Sequence, residues 1–344
     1  MTQVLPPLRG GRPRLPSHSL VAVGIALPLA LLLTPQAGAQ DIGRWETLAE
    51  SDQPQHRHEA GYVRIGDRFY LVGGRGMRAT QAFDPATGHW TDGAEPPLEM
   101  HHFQAVEHDG KLYVAGAMTG NYPTEPPIPH VYIYDPASDS WTRGPEIPED
   151  RRRGGAGAIA HEGKIYVVAG ITNGHSDGHV AWFDAFDPAT GEWTRLPDAP
   201  RPRDHFQVAI LDNKLYAVGG RRSSAATGQT FELTVPEVDV YDFETGEWST
   251  LPTESNLPTP RAGATTVVLN GEILVIGGES AAQQAAHAEV EALDPATGRW
   301  RKLAPLNTGR HATQAVVYDG KLYIAAGSRT RGATEINSQE VFTP

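Results

Sequence analysis

Six tryptophans recur at regular intervals along this chain: Trp45, Trp90, Trp141, Trp193, Trp248 and Trp300. Five of them stand six residues after an aspartate that opens a common phrase, as in Phe83-Asp84-Pro85-Ala86-Thr87-Gly88-His89-Trp90. The aspartates are Asp84, Asp135, Asp187, Asp242 and Asp294. That phrase describes a hairpin. The aspartate side chain starts the turn, proline presets φ, and glycine takes the left-handed position. The tryptophan then comes back on the next strand as a large core filler. A motif repeated at this spacing requires an architecture built from one repeated unit.

Upstream of each turn lies a second phrase, a tight turn followed by a short apolar strand that ends in small residues. Gly73-Gly74, Gly219-Gly220 and Gly277-Gly278 close three copies with a glycine doublet. The other three copies carry alanine at one of the two places, and one extra methyl is expected to be tolerated there. A third mark stands eleven residues before the Lys, Arg or Glu that opens this strand: Arg57, Met100, Arg153, Arg203, Arg261 and Arg310. Each unit therefore reads as four antiparallel strands, which is a propeller blade. The last unit stops at Val341-Phe342-Thr343-Pro344 without its fourth strand, and Ile42-Gly43-Arg44-Trp45 supplies a fourth strand without the first three. The expected fold is an all-β, six-bladed propeller over residues 41–344. Its N-terminal strand would complete the C-terminal blade and remove the open edge.

The glycine doublet, the Tyr/Phe-Asp-Pro turn and the tryptophan at fixed distance resemble the kelch repeat, and the resemblance covers residues 41–344. It implies a propeller whose ligands meet one mouth of the central channel. Kelch propellers include protein-interaction modules, galactose oxidase and sialic acid mutarotases, so the fold does not name a chemistry. The copper radical site of galactose oxidase uses a Tyr–Cys thioether, and this chain has no cysteine.

Residues 1–39 are a different kind of sequence. Arg9, Arg12 and Arg14 precede an uncharged run, Leu20 to Leu33, and Ala37 and Ala39 follow it with the small residues of a cleavage site. The run is short for a membrane span, so a cleaved signal peptide is expected, with an uncleaved anchor as the rival. Export to a periplasm or to the extracellular space follows, with no membrane span after processing. The absence of cysteine excludes disulfides and thiolate sites. A formal net charge of -12 argues against nucleic acid as a partner.

Two groups of residues should reach the functional mouth. The first, at the start of the innermost strands, is Arg57, His58, His101, His102, Arg153, Arg203, His205, Arg261, Arg310 and His311. The second, just after the small-residue doublets, includes Arg75, Tyr122, Asn173, His175, Arg221 and Glu279. Each repeated arginine has a plainer use, hydrogen bonding to carbonyls between blades. The turn aspartates are turn formers and the six tryptophans are core. Histidines converging on one axis suit acid–base work or a metal. With no carboxylate at the same spacing, no metal and no other cofactor is expected. Two functions remain open. One is an exported binding module that recognises a protein or a glycan. The other is a sugar-active enzyme of the mutarotase or epimerase type, for which the rim arginines imply an acidic substrate.

Overall fold

The computed structural model describes residues 1–6, 10–12, 14, 16, 42–49 and 52–344. The expected leader therefore lies for the most part outside the described residues. Residues Asp41–Pro344 form one unit of six four-stranded antiparallel sheets arranged as blades. We letter the strands of each blade A to D from the channel outward. In blade one they are Ala60–Ile65, Arg68–Gly73, Gln81–Asp84 and His89–Asp92. Blades two to five repeat that order. In blade six, strands A to C are Ala315–Tyr318, Lys321–Ala325 and Gln339–Thr343, and strand D is Arg44–Thr47 from the other end of the chain. Trp45 pairs with Phe342, which closes the ring as expected. The only helical segments among the described residues are two single 3-10 turns, Glu149–Arg151 and Thr253–Ser255. No helix of these residues is long and apolar enough to cross a membrane.

Each motif does a local job. All five turn aspartates accept, at 2.9 Å, the backbone N–H two residues on. The tryptophans act between blades more than as core. Trp45 alone is buried, and the other five are half-buried. Trp45, Trp141, Trp248 and Trp300 donate their indole N–H to carbonyls of the preceding blade's outer segment, at Ala304, Ala94, Pro197 and Ser255.

The small doublet is stricter than a simple allowance for one methyl. Its second glycine lies at φ between 91° and 115° in five blades, and a Cβ on Gly327 would come within 2.7 Å of the His311 carbonyl. Alanine is accepted at the first place, where Ala169 and Ala326 take φ of 52° and 58°. Blade two, with Gly116-Ala117, does not adopt the left-handed pair.

The five repeated arginines staple their own blades, and neither bridge blades nor line a rim. Arg57, Arg153, Arg203, Arg261 and Arg310 are at most 2% exposed. Arg153 donates to the carbonyls of Arg151, Ala169 and Val167 and lies 2.9 Å from Asp184. Arg203 meets Asp239, Arg261 meets Glu291, and Arg310 meets Glu340. Arg57 has a neutral partner, Gln81, at 2.8 Å. In blade two the arginine and its acid are both gone: Met100 and Tyr132 stand in their places, buried in the apolar core. A buried guanidinium needs its acceptors and a buried carboxylate needs its cation, so no blade keeps the carboxylate without the arginine.

The channel has two cross-ties. Two residues after each arginine position stand Glu59, His102, Gly155, His205, Gly263 and Ala312, all left-handed with φ between 53° and 64°. Their backbones link blade to blade: His102 N–H to Glu59, Gly155 to His102, His205 to Gly155, Gly263 to His205, and Ala312 to Gly263. Ala60 N–H to the Ala312 carbonyl closes this belt at 3.3 Å. Further along the channel, Gln104, Gln207 and Gln314 reach across from alternate blades. Gln104 accepts from Ala158 and Val208 N–H, Gln207 donates to Thr313, and Gln314 accepts from Tyr62 and Ala105 N–H. This amide layer separates the two mouths.

Candidate functional site

The belt and the loops above it form a cup. Its cavity measures about 430 Å³ and is lined by His58, Glu59, Arg75, Asn121, Tyr122 and His175 on one side, and by Phe231, Glu279, Gly332 and Ala333 on the other. A smaller hollow of about 30 Å³ continues down the axis past Glu59, His102 and His205. The cup's size is that of a small-molecule site. Tyr122 offers an exposed ring. The guanidiniums of Arg221 and Arg331 each lie 5.1 Å from the Phe231 ring centroid.

Beneath this lining the polar groups are tightly paired. Arg75 meets Glu125 at 2.6 Å, Arg221 meets Glu279 at 2.5 Å, and Arg78 meets Glu335 at 3.1 Å. His58 Nδ1 lies 2.9 Å from Glu335. Glu279 also accepts the Gly332 N–H at 2.9 Å and lies 3.4 Å from His311 Nε2, which itself meets the Thr330 carbonyl at 2.9 Å. Burial alone would raise the Glu279 carboxyl; His311 and Arg221 outweigh it and hold the group below its ordinary value. Burial also keeps two imidazoles neutral, pushing His175 down to about 4 and His102 well below its usual range.

Of the sixteen residues expected at the mouth, His58, Arg75, Tyr122, His175 and Glu279 line the cup. His102 and His205 line the hollow beneath it. His101 is buried behind His102, with Nε2 on the Gly120 carbonyl at 3.1 Å. Arg221 and His311 are buried under the cup and reach it through Glu279. Asn173 sits in a hairpin of Ile171–Asn173 with Asp177–His179, bonded to Asp177, and does not line the cavity. The five arginine staples take no part. The guanidiniums of Arg75, Arg78 and Arg221 at the mouth each face a carboxylate.

Sequence reasoning passed over Glu59, Glu125, Asp204 and Phe231. Glu59 could have been found, since it shares with His102 and His205 the place two residues after the arginine position. Glu125 and Phe231 lie in loops that match no other blade, and no repeat signal points to them.

Six such blades, cross-tied around a central channel, define a repeat propeller with a cup at one mouth, and sequence comparison identifies which. A model described as the KLHDC2/KLHL20/DRC7 Kelch-repeats domain matches residues 130–327, and a Kelch motif model matches residues 100–148. The chain belongs to the kelch-repeat family. Kelch-like protein terF of Aspergillus terreus is 29% identical over 330 residues, covering 88% of this chain and 68% of that protein. Kelch-like protein 23 of Homo sapiens is 26% identical over 281 residues, covering 80% of this chain but 46% of its own length. The chain thus spans two thirds of one relative and under half of the other. A solved structure titled Structure of YjhT superposes with a TM-score of 0.71 at 18% identity, over 84% of this chain and 95% of that one, a likeness of fold.

Proposed function

We propose that this chain is an exported kelch propeller that binds a glycan of one or two sugar units in the mouth cup. The observation that carries the reading is the cup itself: a cavity of about 430 Å³ with an aromatic ring on either side and buried polar groups between them. Sugars present apolar C–H faces that stack on rings such as Tyr122 and Phe231, and hydroxyls that need fixed donors and acceptors such as Asn121 and Glu279. A flat protein epitope would leave these recessed groups unused. Because the guanidiniums of Arg75, Arg78 and Arg221 each face a carboxylate, the cup suits a neutral sugar better than an acidic one. Arg9, Arg12 and Arg14, the apolar run and Ala37 and Ala39 support export, with Gln40 as the first mature residue.

The 3.4 Å contact between Glu279 and His311 favours a second reading, in which Glu279 exchanges protons with a bound sugar as a mutarotase or epimerase requires. Calorimetry with panels of neutral and acidic sugars tests the binding claim. Tyr122→Ala and Phe231→Ala should each weaken the bound sugar at least tenfold. No heat from any sugar would overturn the proposal in favour of protein recognition.

A further inference from the structure

Below the cup the imidazoles of His102, His175 and His205 meet, with ring centroids 4.7–4.9 Å apart. His175 Nδ1 lies 3.2 Å from both carboxylate oxygens of Glu125, and His205 Nδ1 lies 2.6 Å from Asp204 Oδ1. A carboxylate accepts, so Nδ1 of each ring carries a proton, and Nε2 is the nitrogen left to offer a lone pair. Those two Nε2 atoms face one another at 3.1 Å. Two acceptors at that separation repel unless a cation joins them.

The third ring follows from its own neighbours. His101 Nε2 donates to the Gly120 carbonyl, which leaves His101 Nδ1 to accept from His102 Nδ1–H at 2.5 Å. His102 Nε2 is then a third lone pair. It is buried and makes no hydrogen bond, and the carboxylate nearest to it, Glu59 at 3.2 Å, is again an acceptor. One ring nitrogen from each of His102, His175 and His205 lies within 4.8 Å of the others.

We infer that His102, His175 and His205 bind one divalent transition-metal ion through their Nε2 atoms. Zinc–imidazole bonds of about 2.0–2.1 Å in a tetrahedral set place ligand nitrogens about 3.3 Å apart, close to the spacing already held by His175 and His205. An all-imidazole set selects zinc, copper, iron or nickel over calcium or magnesium. The supporting groups are also those of a metal site. Glu125 and Asp204 orient two of the rings through Nδ1; Glu125 is in turn held by Arg75, and Asp204 by the Ser223 N–H and hydroxyl, both at 3.1 Å. His102 and His205 are fixed by left-handed backbone in the belt, whereas His175 comes from the hairpin that follows the doublet of blade three. His175 and Glu59 line the cup, so the site borders the ligand cavity.

The inference does not rest on sugar binding: metal uptake and sugar affinity are read separately, and either can fail alone. Untagged mature protein, stripped with a chelator and re-equilibrated with Zn2+, is desalted and its metal measured by mass spectrometry, and Co2+ loading is followed by visible absorption. We expect one ion per chain and the intense absorption of tetrahedral Co2+. Asp204→Asn should weaken Zn2+ binding about 10–100-fold, and His175→Asn more, with unchanged far-ultraviolet circular dichroism. Wild-type protein that holds no metal beyond the buffer background would overturn the assignment and leave a shared proton between the rings. Unchanged affinity in folded His175→Asn would do the same.

Discussion

Replacing Arg261 by methionine removes a guanidinium that is 0% exposed and leaves its partners with nothing in its place. The lost contacts are Glu291 at 2.6 Å, the Thr259 carbonyl at 2.6 Å, the Val275 carbonyl at 2.9 Å and the Gly277 carbonyl. Glu291 retains only the Thr259 hydroxyl, at 2.8 Å. Breaking a buried pair from one side costs about 3–5 kcal/mol, because the remaining charge stays desolvated. Blade two shows the alternative, since Met100 and Tyr132 occupy the same two places and pack into the core. The double change Arg261→Met/Glu291→Tyr copies that blade. It should lie within about 1–3 kcal/mol of wild type, the cost of imperfect repacking. Denaturant midpoints followed by tryptophan fluorescence give the cycle, and the double variant should be more stable than Arg261→Met alone. A double variant no better than the single, or a single change costing under about 1 kcal/mol, would refute the staple.

Ring closure predicts that Trp45→Ala costs about 3–5 kcal/mol, because Trp45 is buried, packs against Phe342 with ring centroids 5.1 Å apart and donates to Ala304. Trp193→Ala should cost less, since that ring is half-exposed and its N–H has no partner. A near-neutral Trp45→Ala in a urea melt would mean that the N-terminal strand does not close the ring. Glu279 adds a pH signature. Its folded value lies below the ordinary 4.5, so its charge contributes stability above that pH and loses it as pH falls through the folded value. Glu279→Gln should be less stable than wild type at neutral pH, with the gap closing below pH 4.5; thermal melts showing a constant gap would contradict this.

The blades and their closure were legible because each mark acts within a short stretch of chain. An aspartate two residues from the N–H it accepts, or a glycine confined by φ, leaves its spacing in every copy. The arginines misled for the opposite reason. Their role is set by acids about thirty residues downstream, at Asp184, Asp239, Glu291 and Glu340, and only comparison between copies exposes the pairing. Met100 with Tyr132 was the clue, as both partners disappear in the same blade. The histidines divided on backbone geometry. His102 and His205 occupy the left-handed place of the belt and face the axis, whereas His58, His101 and His311 precede that place and bond to loops. His175 joined them from the blade-three hairpin of Ile171–Asn173 with Asp177–His179.

A crystal of the protein soaked with the tightest-binding sugar from the calorimetric panel tests the mouth site most directly. The account predicts ordered ligand between Tyr122 and Phe231, above His175 and within hydrogen-bond reach of Glu279. Ligand seated instead at the opposite end of the channel, beyond Gln104, Gln207 and Gln314, or on the outer strands, would contradict it.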